Sequence, residues 1–439
     1  MFARSILAVV LSLWAINSSA TLKIEITEGA AGAEQVAIVP FGWAGAAKPK
    51  EGIASIVSAD LHRSGRFNPV AERDMLAKPT DPQQINFKNW RILEIPYLVI
   101  GQVQVEPNQN HTIVVRLYDV FRQTELFGKK FKAKNFQLRA VAHQISDAIY
   151  EELTGERGAF STKLAYIKKL PKTAKTDYRY LLFTADADTH NERLVLRSKN
   201  PIISPAWSSN SKKLAFVVVR NLGSSIYIYD DEKNESERIT QSREKFSAPA
   251  WSPDLSKLAV QANRDGGSDI YIIDLKSGKR QRVIEHWSID AEPIWSPDGG
   301  SLIFTSERGG SAQLYQYYFD NKQIRRLTFE GRQNLRASFS PDGKMITFVH
   351  LSNDRKYYIA VMDMETLEMR MLTKPSHQET EHESPSFAPN GSMVIYAANY
   401  QNQRGVLAAV SVDGGVHQRF SNEMLGGEVH EPAWSSFLD

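Results

Sequence analysis

The sequence predicts an α/β N-terminal domain followed by an all-β six-bladed β-propeller closed by the C-terminal strand. Three observations predict it. A helical hydrophobic period occurs only before about residue 157. After residue 160 a short motif, Pro-x-Trp/Phe-Ser-Pro-Asp-Gly in its fullest form, recurs with its aromatic residue at Trp207, Trp251, Trp295, Phe339, Phe387 and Trp434. These lie 44, 44, 44, 48 and 47 residues apart, the period of four-stranded propeller blades. The last copy's Trp434 lies five residues from the C-terminus, so its blade has to borrow three strands from the start of the repeat region.

A chain of 439 residues exceeds one ordinary core. Hydrophobic residues at 42% and charged residues at 23% are ordinary for a globular protein. A formal net charge of +3 gives no reason to expect a nucleic acid as partner. Arg4, the apolar run 6–16, and the small residues Ser18 and Ala20 read as a cleaved signal peptide over residues 1–20, with export to the periplasm. The run is too short to span a bilayer, and no later stretch reads as a membrane span. No cysteine occurs, which excludes thiol catalysis, cysteine-ligated zinc and a lipid-anchored cysteine.

Residues 21–33 read as an N-terminal arm, with Leu22, Ile24 and Ile26 alternating with polar residues as in a strand, and an Ala-Gly hinge at 29–33. Such a strand either adds to a partner's sheet or tucks into its own domain. Residues 34–157 read as the α/β domain. The run 35–41 is a buried strand. Ile53, Ile56, Val57 and Leu61 mark a helix stopped by Gly65. Residues 97–105 and 112–120 form a hairpin, and Leu138, Val141, Ile145, Ile149 and Leu153 mark a second helix. One sheet covered by two helices fits this order.

Residues 160–439 read as the propeller. In Ser-Pro-Asp-Gly, proline presets the first turn position, aspartate bonds nearby backbone and glycine accepts positive φ. Second strands are expected at 213–219, 257–261, 301–306, 345–350 and 393–398. The truncated sixth copy is expected to pair with 162–168, 180–185 and 193–197, which removes two open sheet edges.

The leader, the α/β domain and the six blades, with strings such as 24–29, 36–42, 197–207 and 292–297, together resemble the TolB family of the Tol-Pal system. The resemblance implies a non-enzymatic, monomeric periplasmic scaffold without cofactor. It implies binding of the lipoprotein Pal and of TolA, contact with other outer-membrane proteins, and a role in outer-membrane integrity and in invagination during division. It assigns TolA binding to the arm, here Leu22, Ile24, Glu25, Ile26 and Thr27. It assigns Pal binding to one propeller mouth, at the positions just before each motif. Here these are Lys245, Ser247, Ala248, Ala291, Glu292, Leu335, Arg336, Glu383, Ser384, His430 and Glu431. Lys245 departs from a histidine common near this point in the family.

Other chemistries fare worse. Propeller-bearing serine peptidases need a Gly-x-Ser-x-Gly elbow and a hydrolase domain, and neither is present. His377, Glu379 and His382 lack metal-site spacing and read as a solvated polar loop. Direct glycan binding through Trp207, Trp251, Trp295 and Trp434 is the alternative function. Their identical place in each repeat points instead to packing between blades.

Overall fold

The computed structural model describes residues 23–28, 32–45, 51–106, 110–171, 176–240, 245–376, 379–400, 405–421 and 428–438. The leader, Leu22 and His377 lie outside these residues.

The first domain is built on one mixed sheet. Its strands run in the order Phe67–Pro69, Glu34–Ile38, Tyr97–Val105, Asn110–Asp119, Thr124–Lys134, with Gly42–Ala44 also pairing with Tyr97–Val105. Helices α1 (Ile53–Arg63) and α3 (Leu138–Thr154) pack side by side on one face. There Ile56, Val57, Leu61, Val141, Ile145 and Ile149 meet Val36, Val99, Val115 and Leu117. The opposite face is also covered in part, by the short helix α2 (Phe87–Ile92) and its flanking turns. Its Trp90 is buried against Leu98, Ile100 and Tyr118. A six-residue helix is too short to show a period, so the sequence reading of two helices lacked this third one. It also lacked Thr124–Lys134.

Six four-stranded antiparallel sheets follow as blades. The first five begin with the inner strands Ile202–Trp207, Lys245–Trp251, Asp290–Trp295, Gln333–Phe339 and Glu379–Phe387. The sixth is composite. Its inner strand is Glu428–Trp434, and its outer three are Lys163–Lys169, Tyr180–Asp186 and Arg193–Ser198. Glu428 pairs with Lys169 and Trp434 with Leu164, so the chain's end closes the ring.

The arm strand Lys23–Glu28 does not tuck into its own domain. It pairs antiparallel with His417–Ser421 as a fifth strand on the outside of blade five. The alternating pattern encodes a half-buried strand but not which sheet edge receives it.

The two domains touch at several points. The Gln418 side-chain amide donates to the Arg63 carbonyl, and Asn390 Nδ2 donates to the Arg157 carbonyl at 3.0 Å. Gly65, at φ +70°, ends α1 so close to Val416 that a Cβ there would lie 2.3 Å from a Val416 methyl. The Asp147 carboxylate on α3 accepts the Phe160 and Ser161 amides at 2.7 and 3.2 Å, which ties the linker to the helix.

Candidate partner-binding site at the propeller mouth

Each inner strand carries an irregularity at the same place. The register with the second strand shifts at Ile203/Ala206, Ser247/Ala250, Ala291/Ile294, Leu335/Ser338, Glu383/Ser386 and His430/Ala433. Within each bulge one non-glycine residue is left-handed: Ser204, Ala248, Glu292, Arg336, Ser384 and Glu431, with φ between 47° and 54°. In five of the six, proline follows and further restricts the backbone. Bulges re-aim side chains, and a repeated disfavoured conformation is the kind of strain that accompanies binding surfaces. All six residues line one central cavity of about 900 Å³.

The ring is electrostatically organised. Glu292 accepts the Arg336 amide at 2.9 Å, Arg336 Nε–H at 3.1 Å and the Thr305 hydroxyl at 2.9 Å. Arg336 Nη1 donates to Ser384 Oγ at 2.6 Å, and the Glu431 carboxylate accepts the Ser204 amide. Burial works against the Arg336 charge, but Glu431, Glu292 and Glu383 outweigh it and raise its pKa. Burial raises the Glu431 pKa despite Arg336. Beside the ring, His430 Nε2 lies 3.0 Å from Glu428 and Nδ1 3.4 Å from Glu383. Burial would lower the His430 pKa, yet these two carboxylates raise it. Lys169 caps Glu428 at 2.7 Å. The result is a polar mouth with several carboxylates around one guanidinium, able to receive backbone amides and basic groups of another chain.

Of the residues singled out from the sequence, Ser247, Ala248, Glu292, Arg336, Ser384 and Glu431 line the cavity. Glu383 and His430 form the adjoining acid–histidine pair. Ala291 is buried, Leu335 is half-buried, and Lys245 is exposed at the start of its strand. Ser204, Lys169 and Glu428 were missed. Ser204 lies 44 residues before Ala248, so extending the same offset to the first blade finds it. In the arm, Ile24 and Ile26 are half-buried opposite Phe420 and Gln418, while Glu25 and Thr27 are exposed.

Packing corrects one further reading and bears on another. His382 is not in a solvated loop: it is buried on the inner strand of blade five, with Nδ1 2.8 Å from Thr373 Oγ1 and its ring 5.0 Å from Tyr396. Trp251 donates to the Ala206 carbonyl of the preceding blade at 3.0 Å, and Trp434 to Thr162 at 2.9 Å. Trp251 thus joins two blades and Trp434 fastens the closing strand within blade six, while Trp207, Trp251, Trp295 and Trp434 all contribute to the wall of the central cavity.

A third cluster lies between the domains. His143 Nδ1 on α3 is 2.7 Å from Asp60 on α1, and Nε2 is 3.4 Å from Asp188 of the closing blade. These three could hold a metal ion by proximity alone. Arg63 bonds Asp60 at 2.9 Å and Arg139 bonds Asp188, so two cations already neutralise both carboxylates. The donor set fits an ion-paired interface better than a metal centre.

A closed six-bladed propeller, fronted by an α/β domain that lends one strand to a blade, defines the structural class. The TolB amino-terminal domain family matches residues 22–126, and the TolB beta propeller domain family matches residues 150–438. The Tol-Pal system protein TolB of Thioalkalivibrio sulfidiphilus is 54% identical over 425 residues, covering 97% of this chain and 96% of that one. Its counterpart in Nitrosococcus oceani is 52% identical over 428 residues, with 97% and 96% covered. The crystal structure of TolB from Acinetobacter baumannii superposes with a TM-score of 0.86 at 38% identity, covering 95% of this chain and 100% of that one. The chain belongs to the TolB family of the Tol-Pal system.

Proposed function

We propose that the chain is a non-enzymatic periplasmic scaffold, exported by a leader over residues 1–20, that binds Pal at the propeller mouth and TolA through the arm. In this role it maintains the outer membrane and its invagination during division. The working divisions are the arm at 21–33, the α/β domain at 34–157 and the propeller at 160–439. Membership of the Tol-Pal family supports the partners, and the polar ring of Glu292, Arg336, Ser384 and Glu431 supports the mouth. Among the described residues no helix is long and apolar enough to cross a membrane.

The observation that carries the reading is that both surfaces use blade five. Its inner strand Glu379–Phe387 brings Glu383 and Ser384 to the mouth, and its outer strand His417–Ser421 holds the arm. A ligand that favours one arrangement of this sheet shifts the arm between docked and released states by its differential affinity, and the effect is reciprocal. Titration with TolA in the presence and absence of saturating Pal tests this. The TolA affinity should change; an unchanged value removes the coupling. A chain beginning at Glu34 should bind Pal and lose TolA; retention of both would refute the arm assignment.

A further inference from the structure

The outer edge of the first-domain sheet is a strongly basic surface that the mouth and arm leave unused. Thr124–Lys134 is the last strand in the sheet order. Lys129, Lys130, Lys132 and Lys134 are all exposed, four lysines within six residues. Their cross-strand partners are Val115, Val114, Thr112 and Asn110, none of them acidic. Among the described residues no acid lies within ion-pair distance of any of the four. Glu125 on the same strand is paired with Arg116 at 2.7 Å, and the Glu106 carboxylate, which accepts the Thr112 hydroxyl at 2.8 Å, makes no ion pair with the lysines. The row ends at Phe136, an aromatic side chain 80% exposed.

We infer that this edge docks on an anionic lipid bilayer. Alternate residues of a strand lie about 7 Å apart, so Lys130, Lys132 and Lys134 spread their charges over about 14 Å on one face, with Lys129 on the other. These are flexible point charges, and neither described cavity is lined by any of them. That arrangement suits a mobile field of headgroup phosphates better than one fixed ligand. An adjacent exposed aromatic ring supplies the apolar anchor that peripheral membrane binders add to a basic patch. Edge lysines also discourage pairing between copies of a sheet, which alone requires no lipid. An acidic strand added to the open edge would need side-chain pockets for register, and neither described cavity is lined by these lysines.

Co-sedimentation of the chain from Thr21 onward with vesicles tests the inference. Vesicles of equimolar phosphatidylcholine and phosphatidylglycerol should retain the protein, and pure phosphatidylcholine should not. The K130E/K132E/K134E variant should partition at least about tenfold more weakly. About 0.5 M NaCl should release the parent protein, since exposed charges are then screened within a few ångströms. F136S should weaken binding with the salt dependence retained. The K130Q/K132Q/K134Q variant guards against misfolding: weaker binding with an unchanged melting temperature supports the surface. Equal sedimentation with both vesicle types overturns the inference, as does undiminished binding by the charge-reversed chain. Lysine-dependent binding of polyglutamate without vesicle binding overturns it in favour of an acidic peptide.

Discussion

At the scale of single residues, the repeat is held by backbone chemistry as much as by side-chain packing. In the third blade Ser296 Oγ accepts the Ser301 amide at 2.9 Å, Asp298 accepts the Gly300 amide at 2.9 Å, and Gly299 turns the chain at φ +73°. Gly343 and Gly391 repeat this geometry at the same φ, whereas the first two blades force Ser211 and Leu255 into it at +57° and +61°. A Cβ on Gly343 would meet Pro297 at an ordinary 3.5 Å, so space is not the obstacle. Gly343→Ala should therefore cost about 1 kcal/mol, the penalty of a left-handed L-residue. The check is a lower urea midpoint at unchanged slope; an unaltered midpoint would show that the turn relaxes freely. The mouth was legible at this scale because one offset from the motif locates its ring. What could not be read was the Glu428–Lys169 pair beside His430: these two come together only because residues 428–434 pair with 163–169.

Among the elements, the C-terminal strand has the largest consequence. Besides its ladder, Lys163 exchanges bonds with Ser435, amide to Oγ at 2.9 Å and amide to carbonyl at 2.9 Å. Leu164, Ala165 and Ile167 are buried beneath it. A chain ending at Gly427 would leave residues 163–169 as an open apolar edge and the ring unclosed. It should lose the cooperative thermal transition of the propeller and aggregate on concentration. A soluble chain with the parent's melting temperature would mean that closure is dispensable. This closure was legible because a fixed period and a truncated last copy leave few topologies. The strand Thr124–Lys134 was not, for a physical reason. As an edge strand its faces are partly open, so lysines replace the apolar alternation that marks buried strands, and only the half-buried Leu126, Phe127 and Phe131 and the buried Ala133 suggest it. The arm's placement was hidden for a different reason, since the edge of blade five that receives it lies almost 400 residues further along the chain.

For the whole molecule, what matters is how the two domains are held, and His143 is the group that titrates there. It is buried between Asp60 and Asp188, with Arg63 bonded to Asp60 and Arg139 to Asp188. Burial alone would lower its pKa, and Arg63 adds to that. The carboxylates of Asp60 and Asp188 outweigh both, so the folded-state value lies above the ordinary 6.5. Burial pushes the Asp188 carboxyl up, but the His190 hydrogen bond and the charges of Arg63, His143 and Arg139 hold it far below the usual carboxylate range. Asp188 thus stays charged at every pH where His143 changes state. The protonated imidazole is favoured in the folded chain, so its contribution is fully present below pH 6.5 and disappears as pH rises through the raised folded value. The melting temperature should fall over that window. His190 has a raised pKa from the same Asp188 and titrates in the same sense, so the parent slope contains both groups. His143→Gln removes one of them: calorimetry from pH 6 to 8 should show a shallower fall in the variant, with its largest deficit against the parent at the acid end. Parallel curves would mean that the His143 pKa is the same in the folded and unfolded chain, and that the pairs Arg63–Asp60 and Arg139–Asp188 hold the interface without help from its charge.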